Sequence, residues 1–218
     1  MNENIKYDIR FKHPCTSVIA GPTGSGKTTF IYQLLLNKKI IFNPIPVHVI
    51  LVYKYWQDSF TFLKNNNYVN DFIVEFDLSI FQTKTKTHTS TLFIIDDGLS
   101  NFSSDYVNMF IEGSHHKNAS VFILVQNFFS QMKGFRTLSL NAHYLILMRN
   151  PRDNSQIMPI ARQIDPNNIH AFLKMFRKAT INPYSYLLID VRQETVNELR
   201  FRSNIFRENN LPIHVWIK

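Results

Sequence analysis

Residues 21–28 read Gly-Pro-Thr-Gly-Ser-Gly-Lys-Thr and match the pattern G-x-x-x-x-G-K-[ST] at every fixed position. Glycines permit backbone angles that other residues avoid, so successive N–H groups can converge on one anion. In such loops the lysine reaches the β- and γ-phosphates, and the final hydroxyl ligates Mg²⁺. The pattern predicts that ATP with Mg²⁺ is bound by Gly21, Pro22, Thr23, Gly24, Ser25, Gly26, Lys27, Thr28 and Thr29.

The segments around this loop predict its structural setting. Residues 16–20 read as an apolar strand and 28–36 as an amphipathic helix, which is the context that a phosphate-binding loop requires. Several runs are continuously apolar, which is typical of a parallel sheet covered by helices. We therefore predict an α/β fold with a mostly parallel β-sheet flanked by helices. Further predicted strands are 47–53, 91–96, 121–126, 143–148 and 184–190, further predicted helices are 104–112, 154–163 and 166–179, and the polar stretch 82–90 is predicted to be a loop.

A second motif lies where an apolar strand ends in two acids, Asp96 and Asp97. In P-loop NTPases an acid at this position holds the Mg²⁺ shell, so we assign Asp96 to the metal together with Thr28. The adjacent acid is suited to orient and deprotonate the attacking water, so we assign Asp97 as general base. The alternative is a strand that merely ends at solvent. Paired carboxylates favour hydrolysis over phosphate transfer to a second substrate.

The strand 121–126 ends in a polar amide, Gln126. An amide at this position can hydrogen-bond the γ-phosphate or the attacking water and so report hydrolysis to the rest of the fold. The alternative is an ordinary residue at a strand end.

The composition indicates a basic protein with a reduced thiol. The formal net charge is +8, and nine of the ten arginines follow Gly134, which favours polyanionic partners over a merely soluble basic surface. Cys15 is the single cysteine, so neither an intrachain disulfide nor a cysteine-based zinc site is expected. The first ten residues lack an apolar signal region, and no apolar run approaches the roughly 20 residues that span a bilayer. We expect no contact with a membrane.

Five stretches together carry a resemblance to a known family: GPTGSGKTTF (21–30), LFIIDD (92–97), GSHHKNASVFILVQN (113–127), RTLSLNAHYLILMRNPRDNSQI (136–157) and PYSYLLID (183–190). In this order they resemble the FtsK–HerA superfamily of ATP-driven DNA pumps. They are more closely similar to the genome-packaging ATPases of double-stranded DNA viruses of the adintovirus, Polinton/Maverick and virophage kind, which are related to the poxvirus packaging ATPase. The resemblance covers residues 16–207, which we predict to be one ATPase domain between an N-terminal extension (1–15) and a C-terminal tail (208–218).

The resemblance implies a RecA-like core that assembles as a ring of five or six subunits and threads duplex DNA. It implies that Lys27, Thr28, Asp96 and Asp97 keep the roles given above, and that Gln126 is the sensor. It also implies an arginine that completes the site of the neighbouring subunit. Many superfamily members have Asp-Glu in place of Asp96-Asp97, and they often carry an arginine near Ser114, which this chain lacks. The hypothesis for the trans-acting arginine is therefore Arg136 or Arg149, with Arg152 third.

Other polar clusters receive weaker assignments. Lys84, Lys86, Lys133 and Arg136 are candidates for the lining of a DNA channel, with a solvated loop as the alternative for the first two. The pair His115-His116 is not expected to bind metal, because adjacent side chains point in different directions. Tyr53, Tyr55 and Trp56 follow a strand end and are most simply core residues, with a partner surface as the alternative.

The function that these features predict is an ATP-hydrolysing motor that translocates viral double-stranded DNA into a preformed capsid. Its expected partners are duplex DNA, further copies of the chain and capsid proteins. Its expected location is inside the infected host cell, in the nucleus or at a cytoplasmic assembly site, with association with the virion as a further expectation. Two alternatives remain open: a nucleoside or nucleotide kinase, and a non-hydrolysing module that bridges DNA and capsid.

Overall fold

The apolar runs of the sequence form the strands of one large sheet. The computed structural model describes residues 8–74, 77–87, 90–96, 104–127, 135–151, 157–206 and 213–217. Its strands are β1 (Phe11–Lys12), β2 (Thr16–Ala20), β3 (Phe42–Asn43), β4 (His48–Tyr53), β5 (Asp71–Val74), β6 (Thr91–Asp96), β7 (Ala119–Val125), β8 (Tyr144–Met148), β9 (Tyr186–Asp190), β10 (Phe201–Ser203) and β11 (His214–Val215). Its helices are α1 (Lys27–Leu36), α2 (Lys38–Ile41), α3 (Asp58–Asn65), α4 (Leu78–Thr87), α5 (Ser104–His116), α6 (Phe135–Leu140), α7 (Ile157–Ile164) and α8 (Ile169–Ala179), with a 3₁₀ turn at Asn197–Leu199.

The large sheet has the strand order β11-β10-β9-β8-β2-β7-β6-β4-β5. The strands from β8 to β5 in this order run parallel, whereas β9, β10 and β11 are each antiparallel to their neighbours. The short strands β1 and β3 pair in parallel as a separate sheet. This architecture confirms the predicted α/β fold with a mostly parallel sheet.

Both faces of the sheet are buried, because neighbouring residues of one strand enter two different apolar clusters. Val18 lies in one cluster and Ile19 in the other, and both side chains are fully buried. The Ile19 cluster includes Phe30 of α1 and Phe60 of α3. The Val18 cluster includes Phe172 of α8 and residues of α5 and α7. Burial on both faces explains why these strands read as continuous apolar runs.

The carboxyl ends of three inner strands meet at one edge of the sheet. Ala20 of β2 pairs with Val125 of β7, and Asp96 of β6 pairs with Leu124 of β7, so the three strands end almost level. The chain passes from β2 to strands on one side and later to β8 on the other. In open α/β sheets such a switch point opens a crevice at the carboxyl ends, which is where ligands bind.

The predicted loop at 82–90 is wrong for most of its length, because α4 extends from Leu78 to Thr87. In the first turn of α4, Phe81 is buried, and its ring centroid lies 5.0 Å from that of Phe93 on β6. Lys84 adds an ion pair of 2.6 Å with Asp71 at the sheet edge. Phe81 and the partly buried Leu78 thus hold a helix whose polar, threonine-rich sequence does not predict one.

The other predicted elements are confirmed, with their ends shifted by a few residues, and the structure adds elements that the sequence did not predict. Helix α3 ends at the first of the three asparagines at 65–67, and strand β5 follows them. Strands β10 and β11 extend the large sheet beyond β9. None of the helices within the described residues combines the length and apolarity of a membrane span.

Candidate active site

The phosphate-binding loop follows β2 directly and is shaped by its glycines. Gly24 and Gly26 have φ angles of 77° and 102°, which belong to the left-handed region that favours glycine. Gly21 is fixed by close packing, since a Cβ there would lie 2.5 Å from the Cβ of Met148 and 2.6 Å from the Oγ of Ser25. The backbone N–H of Gly21 donates to the carbonyl of Val125 at 3.1 Å, which attaches the loop to β7.

The amino-terminal end of α1 opens into the loop. Gly26 is the N-cap residue, no side chain caps the helix, and its first turn carries no acidic residue. The N–H groups of the first turn and the positive end of the helix dipole therefore face the site, as anion binding requires. Lys27 is 8% exposed, and its ammonium group donates to the carbonyls of Gly21 at 2.7 Å and Pro22 at 3.1 Å. The loop thus places one buried cation beside its own backbone amides.

A hydroxyl and a carboxylate meet beside the loop. The Oγ1 of Thr28 lies 3.5 Å from the Oδ2 of Asp96, which is itself 7% exposed. Hydroxyl and carboxylate oxygens are the ligands that Mg²⁺ prefers, and Mg²⁺ is commonly held by one or two protein groups together with substrate phosphates and water. The two predicted metal ligands, which are 68 residues apart in sequence, are therefore brought together.

A cavity of about 350 Å³ lies over these groups. Within it the donor set fits a magnesium nucleotide: backbone N–H groups, one ammonium group and the oxygens of Thr28 and Asp96. The Oγ of Ser25 is buried beneath the loop, beside Gly21, and has no hydrogen-bond partner among the described residues. The described lining consists of Thr23, Gly24, Gly26, Lys27, Thr28, Thr29, Gln57, Asp96 and Tyr184.

Gln57 is a site residue that the sequence did not predict. It precedes α3, and its side chain does not cap that helix. Its Nε2 instead donates to the Oδ2 of Asp96 at 3.2 Å, so the amide reaches from the end of β4 across to the end of β6. Partners of this kind fix the direction of a metal-binding carboxylate. The only sequence signal was a polar residue shortly after a strand end, and that signal is too common to select it.

We expect Gln57→Ala to raise the Mg²⁺ concentration needed for half-maximal ATP turnover by about 10-fold, the scale of the loss in metal affinity when a partner of a metal ligand is removed. The reason is that Asp96 loses the hydrogen bond that orients it. Turnover measured over a range of Mg²⁺ concentrations at saturating ATP tests this. Gln163→Ala, on the exposed face of α7, serves as the matched control. An unchanged Mg²⁺ midpoint in Gln57→Ala would contradict the assignment.

The remaining predicted residues fall in different places. Gln126 directly follows β7, between the loop strand and the strand of Asp96, which is where a sensor would lie. Arg136 is exposed on α6. Arg149 is exposed, and its Nη1 donates to the carbonyl of Ile181 in the same chain at 3.0 Å. Their catalytic roles stay predictions. Asp97, Lys133 and Arg152 lie outside the described residues.

The fold defines the class of this protein, a P-loop NTPase, and the candidate nucleotide site lies at the carboxyl edge of the sheet. The chain belongs to the family of the poxvirus A32 protein, whose sequence model matches residues 2–202. This match confirms the predicted relationship to the poxvirus packaging ATPase and the predicted type of enzyme, an ATPase. The narrower resemblance to the adintovirus kind stays a prediction.

Solved structures support the fold. The genome packaging NTPase B204 from Sulfolobus turreted icosahedral virus 2, in complex with ATP-γS, has a TM-score of 0.54 at 17% identity, and the match covers 83% of this chain and 94% of that chain. The cytoplasmic domain of the type VII secretion ATPase EccC from Thermomonospora curvata has a TM-score of 0.53 at 7% identity, covering 87% of this chain and 23% of that chain. At these identities the likeness shows the fold alone. A comparison with curated proteins gave no significant match.

Proposed function

We propose that this protein hydrolyses ATP to drive viral double-stranded DNA into a capsid. One observation carries the proposal: the phosphate-binding loop lies at the same edge of the sheet as the neighbouring oxygens of Thr28 and Asp96, and all of them line one cavity. Membership in the poxvirus A32 family and the likeness to a genome packaging NTPase that binds ATP-γS support the packaging role.

Each predicted group has a distinct part in the proposed reaction. The loop amides and the ammonium group of Lys27 bind the triphosphate and stabilise the charge that develops on it. Thr28 and Asp96 hold Mg²⁺, which when bound neutralises charge on the phosphate oxygens. Asp97 is proposed to orient and deprotonate the attacking water. Gln126, at the end of β7, is proposed to sense the γ-phosphate.

The site is proposed to be completed by a neighbouring subunit in a ring of five or six chains. Arg136 is the favoured trans-acting arginine, because its side chain is exposed. Arg149 is less favoured, because its guanidinium donates to Ile181 of its own chain. An arginine that reaches a neighbour's site has to project away from its own subunit.

The cargo is proposed to be duplex DNA, held through its phosphates. A net charge of +8 suits a polyanion, and a motor has to grip DNA without regard to sequence. Lys86, exposed on α4, remains a candidate for such contacts, whereas Lys84 is ion-paired with Asp71. The proposed setting is the infected host cell, where capsid proteins would be the docking partners.

We expect duplex DNA to stimulate ATP turnover, and the stimulation to fall steeply with added salt because counterions compete for the phosphates. Turnover with and without DNA, at several salt concentrations, tests this.

Asp97→Ala is expected to abolish turnover while ATP binding is retained. Glu198→Ala, on the exposed 3₁₀ turn, is the control.

Two other results would replace the proposal. Phosphate transfer to a nucleoside without DNA would indicate a kinase. Nucleotide binding without turnover in the presence of DNA would indicate a bridging module.

A further inference from the structure

A second cavity of about 560 Å³ adjoins the phosphate site. Gly26, Thr29 and Tyr184 line both cavities, so the side chain of Tyr184 stands between them. The second cavity, here called the Tyr184 groove, runs from α1 to the antiparallel edge of the sheet. Its described lining also includes Phe30, Gln33, Lys178, Ser203, Asn204 and Trp216.

Tyr184 has two features that need an explanation. Its φ angle is 62°, in the left-handed region that bulky residues rarely adopt. Its side chain is 64% exposed, although it is large and aromatic. Unusual backbone conformations persist where the surrounding structure holds them, and they concentrate at ligand sites.

The phosphate-binding loop is shaped to accept this tyrosine. A Cβ on Gly26 would lie 3.0 Å from the Cβ of Tyr184 and 3.1 Å from its Cδ1. A side chain at position 26 would be tight against Tyr184, so the glycine leaves room for the ring close to the start of α1. The ring therefore stands directly beside the N–H groups proposed to bind the triphosphate.

The segment that carries Tyr184 is held from both ends. The backbone N–H and the Oγ of Ser185 both donate to the carbonyl of Asn182, at 3.3 Å and 2.6 Å. Arg149, which follows β8, donates to the carbonyl of Ile181 at 3.0 Å. The backbone that carries the tyrosine is thus fixed, which lowers the entropic cost of ordering this segment around a ligand.

The groove combines aromatic walls with polar groups. Tyr184 and Trp216 supply aromatic surface, and the indole of Trp216 is fixed because its Nε1 donates to the Oγ of Ser203 at 3.0 Å. Thr29 and Gln33 supply a hydroxyl and an amide from one side of α1. A flat heterocycle with hydrogen-bonding edges and an attached sugar matches this mixture of surfaces.

We infer that the Tyr184 groove binds the nucleoside half of the nucleotide, with the base stacked on the ring of Tyr184. This rests on the proposed function, because it requires that the loop holds the triphosphate. A nucleotide anchored there has to extend past Gly26 and Thr29, and the groove begins at those two residues.

The test compares two ligands that share the triphosphate and differ in the nucleoside: MgATP and inorganic tripolyphosphate with Mg²⁺. Tyr184→Asn removes the ring while keeping a residue that tolerates the left-handed conformation, and Tyr184→Phe keeps the ring. Val47→Ala, an exposed position at the amino end of β4, is the control for surface substitution. Thermal melting establishes that each variant is folded.

The expected result is a loss of MgATP affinity of about 10- to 100-fold in Tyr184→Asn, the range for removal of one base–aromatic stack. Tyr184→Phe should bind MgATP within about twofold of the wild type, and tripolyphosphate should bind all variants equally. In a Trp56→Phe background, ATP but not tripolyphosphate should change the fluorescence of Trp216.

Different failures point to different parts of the account. Unchanged MgATP affinity in Tyr184→Asn would overturn the groove and leave the loop assignment standing. An equal loss for both ligands would also overturn the groove, because Tyr184 would then only shape the loop. A wild-type protein that bound neither ligand would overturn the proposed function together with the groove.

Discussion

Replacing Lys27 with alanine is expected to lower ATP turnover by at least about 100-fold, the cost of removing one group that stabilises transition-state charge. Lys27 is 8% exposed and lies at the start of α1, within 2.7 Å of the carbonyl of Gly21. Its charge thus acts in a largely desolvated setting, where it is worth more than at the surface. Turnover of purified protein at saturating MgATP, with DNA present, measures the loss.

Lys39→Ala is the matched control for this substitution. Lys39 lies on α2 and is exposed, so its removal changes net charge equally without touching the site. Turnover in Lys27→Ala that remained within a few-fold of Lys39→Ala would contradict the role given to Lys27.

The largest stability effect is expected from Asp190→Asn, which should destabilise the fold by about 3–5 kcal/mol. Asp190 is 1% exposed at the end of β9 and pairs with two buried guanidiniums, Arg192 at 2.8 Å and Arg202 at 2.7 Å. Arg202 also donates to the carbonyl of Ile9, which joins the N-terminal segment to the cluster. Removing the carboxylate leaves two positive charges in the interior without their shared partner.

Urea or thermal unfolding measures this change. The melting temperature should fall by roughly 10 °C, given about 2–4 °C per kcal/mol in a chain of this size. Glu194→Gln is the control: it removes the 53%-exposed acid that pairs with Arg192 and should change stability little. A drop no larger than that of Glu194→Gln would contradict the structural role of Asp190.

The pH dependence of this effect has a definite sign. Burial alone would raise the pKa of Asp190, but the hydrogen bond from Arg192 and the charges of Arg202 and Arg192 outweigh it and lower the pKa. A carboxylate with a lowered pKa stabilises the fold at pH values above its unfolded pKa, and this contribution is lost as the pH falls. The difference between wild type and Asp190→Asn should therefore be constant above about pH 4 and shrink below it.

The central part of the fold and of the site could be predicted from sequence, because each feature depends on a local pattern. The glycine spacing at 21–28 fixes a loop between a strand and a helix, and β2 and α1 lie there. Asp96 could be paired with Thr28 because parallel strands of one sheet end at the same edge. Their oxygens do approach within 3.5 Å.

The rest depends on contacts between distant segments, which no local pattern reveals. Helix α4 is held by the packing of Phe81 on Phe93, and the amide of Gln57 turns into the site instead of capping its own helix. The sequence predicted for Tyr184 only a place in a strand and gave it no role in the site. Its role depends on a left-handed φ angle and on its contact with Gly26, which is 158 positions away in sequence.

Titration of MgATP into the folded protein by isothermal calorimetry tests most directly whether the loop at 21–28 is a nucleotide site. The account predicts a saturable heat with one site per chain for the wild type, and its loss or strong weakening in Lys27→Ala. If a well-folded wild-type protein gave no heat of binding, or if Lys27→Ala bound MgATP as tightly as the wild type, the site as described here would be wrong.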